Sequence, residues 1–525
     1  MFESHTLPTH AQRIAQLDEK YQRDIDNGIF KPYTYPFCAV GILAVVIYFT
    51  IPHRNRPLLR AFRFVLWGAN LTFSLYVIVR FRARRAPIDY AVGLISWWFV
   101  LWTAAVMVVY DGQLEFARIE RAVGATRTLH SSRKSAAEMV ERCSEKPKKE
   151  NLRESNAILP LVWQSYPMGS FLERVDWVVD LLSNFRGMTW NWRIPSIPGP
   201  PTEVQNLLKE NKSHEVKQIS LPRLASSPIS REERLRDAAR TFGLGYLCLD
   251  FIRTLTIHDP YFRGLGTQYK PEYMPLVVQN STVLIQSYRL LVALFAIYWA
   301  LSTIFSLAPI VFCGVLGAGT IGVRGEPWVY PGEWGSFRAV LDHGLAAWWS
   351  VFWHQTFRFA FEAPSRRLIE ILEIDRSSFI GKTLRLFVAF ALSGSIHASG
   401  SYTSIGDTKP LRGPFLFFIL QPFGILAQIL AAECLGKAGI AGRVPLAARR
   451  VTNVVFAYTW FYFTAPIFIE DLAKGGTFLY EPVPFSIFRL LGLGGRNESY
   501  ICWTSPWTWF TWQAGNRWWE TGLST

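Results

Sequence analysis

The chain has 525 residues, 50% of them hydrophobic and 15% aromatic, including 21 Trp and 38 Phe. Apolar runs approaching the roughly 20 residues needed to cross a hydrocarbon core recur along it, which excludes a soluble protein, because one buried core helix accounts for one such run and not a series. The net charge of +15 would suit nucleic acid, but the arginines gather beside apolar runs, at Arg54, Arg56, Arg60 and Arg63 and again at Arg80, Arg82, Arg84 and Arg85. Lipid headgroups explain that placement, so the bilayer is the expected partner and nucleic acid is not.

Residues 1–35 form an N-terminal segment with a polar, amphipathic stretch at 12–31. No small-residue cleavage site follows the first apolar run, so that run is expected to stay as an anchor helix. Runs at 36–51, 62–79 and 88–110 make up an N-terminal membrane region, residues 36–110. One helix separates the two arginine clusters, which puts them on opposite sides and leaves the orientation open.

Residues 111–240 are polar, with acids and bases nearly balanced, and read as a water-exposed insertion. Its flanks have linker composition, a charged cluster at 145–150 and a Ser- and Pro-rich stretch near 221–230. The middle, residues 171–192, is aromatic and contains Trp177, Asp180, Phe185, Arg186, Gly187, Met188, Thr189, Trp190, Asn191 and Trp192. Such a segment either binds or braces something or lies on the membrane interface, where Trp and Arg are favoured.

Further runs at 290–317, 339–361, 384–398, 414–432 and 451–469 fall in a second membrane region, residues 241–475, followed by an aromatic-rich tail, 476–525. With the less regular stretch 242–257 they bring the expectation to eight or nine transmembrane helices in an all-α, polytopic bundle. Cys38, Cys143, Cys248, Cys313, Cys434 and Cys502 are scattered without a CxxC pair or metal-like spacing to His, so neither a disulfide framework nor a metal is expected. The N-x-S/T triplets at Asn70, Asn211, Asn280 and Asn497 locate no lumenal face.

Two polar clusters interrupt the second membrane region. His397 lies in Ser393, Gly394, Ser395, Ile396, His397, Ala398, at the end of an apolar run. Ionisable side chains at bilayer depth cost on the order of 2.5–3.5 kcal/mol and by default face a bundle interior or a wet cavity. The alternative is a packing histidine bonded to a neighbour's carbonyl, since Ser, Gly and Ala also serve at helix contacts. The second cluster, residues 348–358, carries His354, Gln355 and Arg358, with His354 and Arg358 expected at i and i+4 on one helical face. The two histidines are 43 positions apart (397 minus 354), one hairpin's distance, so neighbouring helices can bring both to one cavity. Histidine suits proton transfer there, its unperturbed pKa lying near 6.5.

These residues resemble the membrane-bound O-acyltransferases, and among them the wax-synthase-like branch. The stretch from Trp349 to Arg358 is similar to that branch's tryptophan-rich motif, and Ser393 to Ala398 to its Ser-Gly-x-x-His motif. Arg186 to Trp192 resembles an Arg-Gly-x-Gly-Trp-Asn-Trp segment of fungal members, with Thr189 in place of a usual Gly, and Val351 and Phe352 stand where many relatives have Arg. The resemblance implies a helical bundle with an internal tunnel and acyl transfer from a coenzyme A thioester, acetyl-CoA favoured, to a hydrophobic alcohol. Acyl-CoA is then a co-substrate and no permanent cofactor is implied. It implies His397 and His354 as catalytic residues, Trp353, Gln355, Arg358, Ser393 and Ser395 against substrate, and Arg358, Arg366 and Arg367 as candidates for the phosphates of coenzyme A. Fungal tailoring of terpenoids or meroterpenoids, on the endoplasmic reticulum, is the expected setting. Long-chain wax or sterol ester synthesis is the alternative chemistry, and a multi-pass transporter or receptor the alternative class. Protein partners are not indicated.

Overall fold

The helices follow the apolar runs, but not one for one. The computed structural model describes residues 7–122, 160–210, 225–440, 442–494, 498–503 and 510–524. Cys143, the charged cluster at 145–150, the start of the Ser- and Pro-rich stretch at 221–224, and the triplets at Asn211 and Asn497 lie outside the described residues.

In chain order the principal helices are α1 (His10–Asp26), α2 (Val40–Thr50), α3 (Pro57–Arg80), α4 (Ala86–Thr103), α5 (Phe171–Ser183), α6 (Thr202–Glu210), α7 (Arg231–His258), α8 (Thr282–Pro309), α9 (Phe337–Ala347), α10 (Arg358–Ile371), α11 (Phe379–Thr403), α12 (Leu416–Lys437) and α13 (Leu446–Lys474). Local signals start several of them. Thr9 and Gln12 form a reciprocal capping box on α1, Ser170 accepts from Glu173 N at α5, and Ser378 accepts from Gly381 N at α11. Prolines open α3 and α4, where a missing N–H costs nothing.

Among the described residues, five helices are long and apolar enough to cross a membrane: Pro57–Arg80, Ala86–Val109, Thr282–Leu316, Phe379–Thr403 and Leu411–Lys437. The protein is an integral membrane protein of helical class. The run expected at 36–51 shortens to a 3₁₀ turn, Phe37–Ala39, and the 11-residue α2, below spanning length. Helix α13 reaches 29 residues but carries Arg449, Arg450, Glu470, Asp471 and Lys474 at its ends.

The run expected as one helix at 339–361 is broken. Gly344 adopts φ 61, ψ −136 inside α9; a π-turn, Trp348–Phe352, follows; and Trp353 is extended at φ −66, ψ 147 before α10 begins at Arg358. Side chains satisfy the freed backbone. Gln428 of α12 accepts from Leu345 N at 2.8 Å, and Gln355 Nε2 donates to the carbonyls of Trp349 at 2.8 Å and Trp353 at 2.6 Å. Non-helical backbone at membrane depth needs such partners. Only glycine fits at 344, because a Cβ there would meet Gln428 Nε2 at 2.0 Å.

The chain divides into two units. The first comprises Met1–Asp111, Ala239–Ser306 and Glu333–Thr525. Its core gathers Phe262, Ala293, Leu345, Phe417, Phe418, Ala457 and Ile469. Helix α4 packs closely against α11: a Cβ on Gly93 would come within 2.1 Å of the Ser399 carbonyl oxygen, and Ser399 Oγ donates to Gly93 O at 2.9 Å. Thr403 Oγ1 donates to Asp89 O at 2.5 Å, and Trp97 Nε1 to Ser395 Oγ at 2.8 Å. Two of the arginines expected at headgroups, Arg60 and Arg63, converge on Asp111 at 2.6 Å each, and Arg82 is buried, donating to the carbonyls of Ile78 and Phe81.

The second unit comprises Gly112–Ala238 and Leu307–Gly332. Strand β1 (Ala117–Arg121) pairs antiparallel with β2 (Leu161–Ser165), over a core that includes Phe116, Ile119, Trp177, Leu181, Trp190 and Trp192. Arg118 is buried against Asp176 at 2.6 Å and Asp180 at 2.9 Å.

The α4–α11 contact sets a first expectation. Gly93→Val must push the helices apart, and overpacking of this kind costs about 1–3 kcal/mol. Gly68→Ala, on α3 where nothing lies within 4 Å, should hold or gain stability by about 0.5–1 kcal/mol. Thermal unfolding of the two detergent-purified variants checks both signs.

Candidate active site

The broken stretch between α9 and α10, together with α11 and α12, lines a cavity of about 310 Å³ in the first unit. Helix α11 lines it with Leu386, Ala389, Phe390, Ser393 and His397. These residues recur at helical spacing over 11 positions (397 minus 386), so the cavity follows one helix face for about 16 Å. The unwound segment contributes Trp353, His354, Gln355 and Phe357, and α10 contributes Arg358, Phe361 and Glu362. Both histidines thus line one cavity.

The His397 ring is held by aromatic neighbours. It stacks on Phe418 of α12 at 4.7 Å with 9° between planes and meets the edge of Phe468 of α13 at 5.3 Å. Its Nδ1 lies 3.0 Å from the hydroxyl of Tyr90 on α4. His354 sits between Trp334 at 5.9 Å and Phe357 at 5.8 Å, both edge-on, with Phe305 at 6.1 Å. The expectation that His354 and Arg358 share a helical face is corrected: His354 precedes α10 in extended and turn backbone, and Arg358 is the first residue of that helix. The break frees His354 from the helix register and turns the intervening glutamine into a brace.

Gln355 spends its amide on the broken backbone, and its Oε1 accepts from Arg358 Nη1 at 3.0 Å. Arg358 also donates to Ser350 O at 2.9 Å and to Glu362 at 2.6 Å, while Arg366 reaches the other Glu362 oxygen at 2.9 Å. The Glu362 carboxylate is thus shared by two guanidinium groups on its own helix. Trp353 and Ser393 line the cavity. Ser395 does not: it bonds Leu392 O and Trp97 in the α4–α11 contact. Arg367 pairs with Glu370 at 3.3 Å on the surface, away from the cavity lining.

Sequence reasoning missed Glu362 and Tyr90. Glu362 was readable, lying four residues after Arg358 and four before Arg366. Tyr90 lies 307 positions from His397, and no local pattern links them.

The aromatic segment of the second unit braces rather than lies on an interface. Trp190 and Trp192 are about 1% exposed and Asn191 is fully buried. The segment runs beside β1, with Ile119 N donating to Thr189 O at 2.7 Å and Asn191 N to Ala117 O at 3.0 Å. The Asn191 side chain adds bonds to Ala117 N at 3.2 Å and Glu115 O at 2.8 Å, and Arg186 holds the carbonyls of Pro331 and Gly332 at 3.0 and 3.1 Å. Gly187, at φ 66, lies under the Trp192 ring, where a Cβ would come within 2.6 Å.

Fold and site together define a helical integral membrane protein with two histidines on one cavity. Residues 332–420, which carry both histidines, match the membrane bound O-acyl transferase family, and the family resemblance read from the sequence is borne out. Over 180 residues the chain is 28% identical to "Acetyltransferase ataH" of Aspergillus terreus, covering 32% of this chain and 56% of that protein. It is 25% identical over 305 residues to "O-Mevalon transferase macI" of Penicillium terrestre, 55% of this chain and 60% of the relative. It is 23% identical over 336 residues to "Acetyltransferase pyr8" of Aspergillus fumigatus, 62% and 71% respectively. The chain thus spans a little over half the length of the first two relatives. No solved structure matches it.

Asn191→Ala leaves the buried backbone N–H of Ala117 without its side-chain partner, costing about 1–3 kcal/mol, and removes the bond to Glu115 O. Hydrogen exchange at residues 115–121 and 186–194 should therefore quicken at least tenfold, while exchange along α11 stays unchanged.

Proposed function

We propose that the protein is an O-acyltransferase that moves an acetyl group from acetyl-CoA to a hydroxyl of a hydrophobic terpenoid-like alcohol. The observation that carries the reading is the pair His354 and His397 on one cavity. His397 takes the proton of the acceptor hydroxyl as its oxygen attacks the thioester carbonyl. The new C–O bond forms, the C–S bond breaks, and His397 returns the proton to the departing coenzyme A thiolate. His354 donates a hydrogen bond to the carbonyl oxygen as charge develops on it. No covalent acyl-enzyme is needed.

The acetyl preference is supported by size and by likeness. A cavity of about 310 Å³ sits at the small end of ligand sites, about 300–1,000 Å³, and Trp349 and Trp353 stand beside His354 in its wall. Several relatives are named acetyltransferases. Arg358 and Arg366 on α10 are our candidates for the phosphates of coenzyme A, because guanidinium forks match phosphate oxygens. The remaining apolar helices, α7, α13 and the broken α9–α10 pair, complete a bundle of eight or nine membrane segments, which we assign to the endoplasmic reticulum.

Three outcomes follow. His397→Ala should lower acetyl transfer by about 10²–10⁴-fold with unchanged membrane expression; turnover equal to wild type would remove the assignment. His354→Asn should keep substantially more activity than His354→Ala, since an amide still donates a hydrogen bond, whereas His397→Asn should match His397→Ala because an amide cannot take the proton. In competition between acetyl-CoA and palmitoyl-CoA in isolated membranes, the acetyl ester should dominate; a palmitoyl product would turn the reading to wax or sterol ester synthesis.

A further inference from the structure

We propose that Tyr90 is the positioning residue that selects the tautomer of His397. The inference rests on the acyl-transfer reading above and concerns how its base is set. A neutral imidazole is a general base only through the ring nitrogen without a proton, and the partner of the other nitrogen decides which that is. Tyr90 occupies Nδ1 at 3.0 Å, and Phe418 and Phe468 fix the ring plane, which leaves Nε2 for the cavity.

A phenol can donate or accept. With the Tyr90 oxygen accepting, Nδ1 carries the proton and donates to Tyr90, and Nε2 presents its lone pair to the acceptor hydroxyl. No charge moves along the line; the arrangement is set before substrate arrives.

The site is built for this ring. Gly400 of α11 faces Tyr90 so closely that a Cβ would come within 2.9 Å of the Tyr90 carbonyl oxygen and 3.0 Å of its ring. The α4–α11 contact that admits Gly93 against Ser399 therefore also brings the Tyr90 hydroxyl to the imidazole.

The test uses the full chain in detergent, acetyl-CoA as donor and a panel of terpenoid alcohols as acceptors, with coenzyme A release as readout. Tyr90→Phe keeps the ring and its packing and removes only the hydroxyl. It should lower kcat roughly three- to tenfold, the range of one hydrogen bond, with the KM for acetyl-CoA and the melting temperature unchanged. Tyr90→Phe turning over like wild type overturns the inference. His397→Ala, measured alongside, separates the levels: if it is inactive while Tyr90→Phe is normal, the positioning role alone fails; if it is active, the acyl-transfer reading fails with it.

Discussion

The approach of α4 to α11 is the constraint on which the site depends. In a bilayer no hydrophobic effect drives two apolar helices together, so close packing and interhelical hydrogen bonds have to do it. Gly93 lets the two backbones meet, and Ser395, Ser399 and Thr403 each bond across the contact to α4. One face of α11 is therefore spent on α4, while another, from Leu386 to His397, is free to line the cavity. His397 lies between these faces, within reach of both Tyr90 and the cavity.

The other wall is made by breaking a helix instead of packing one. An unbroken helix over residues 339–361 would have presented His354 at a register fixed by its neighbours. Gln428 and Gln355 take over the backbone groups that the break exposes. Each freed group would otherwise cost several kcal/mol in an apolar surrounding. The unwound backbone lets Trp353, His354, Gln355 and Phe357 all reach the cavity, which successive residues of one helix cannot do.

Much of this was legible in the sequence, and what was not has physical reasons. Apolar run length marked α3, α4, α8, α11 and α12, and the polar clusters marked both histidines, because an imidazole in a membrane segment is costly wherever it occurs. The break at Gly344 was hidden: hydropathy averages over a window and does not register that the backbone leaves the helix between Trp348 and Phe357. The serines of the Ser393 to Ala398 motif could not be told apart by type. Helical geometry turns Ser393 to the cavity and Ser395 to Trp97, and only the position of α4 distinguishes the faces. The tryptophans at 190 and 192 looked like interface residues because Trp favours both interfaces and cores; their pairing with β1 decides for the core.

Charge and apolar surface both line the cavity. Arg358 and Glu362 carry the charge, with Arg366 paired to Glu362. His397 packs against Phe418 and Phe468. In the acyl-transfer reading proposed above, the arginines are the candidate holders of a donor's phosphates, and the apolar lining beside His397 favours an apolar acceptor and the exclusion of water, the competing nucleophile for any thioester.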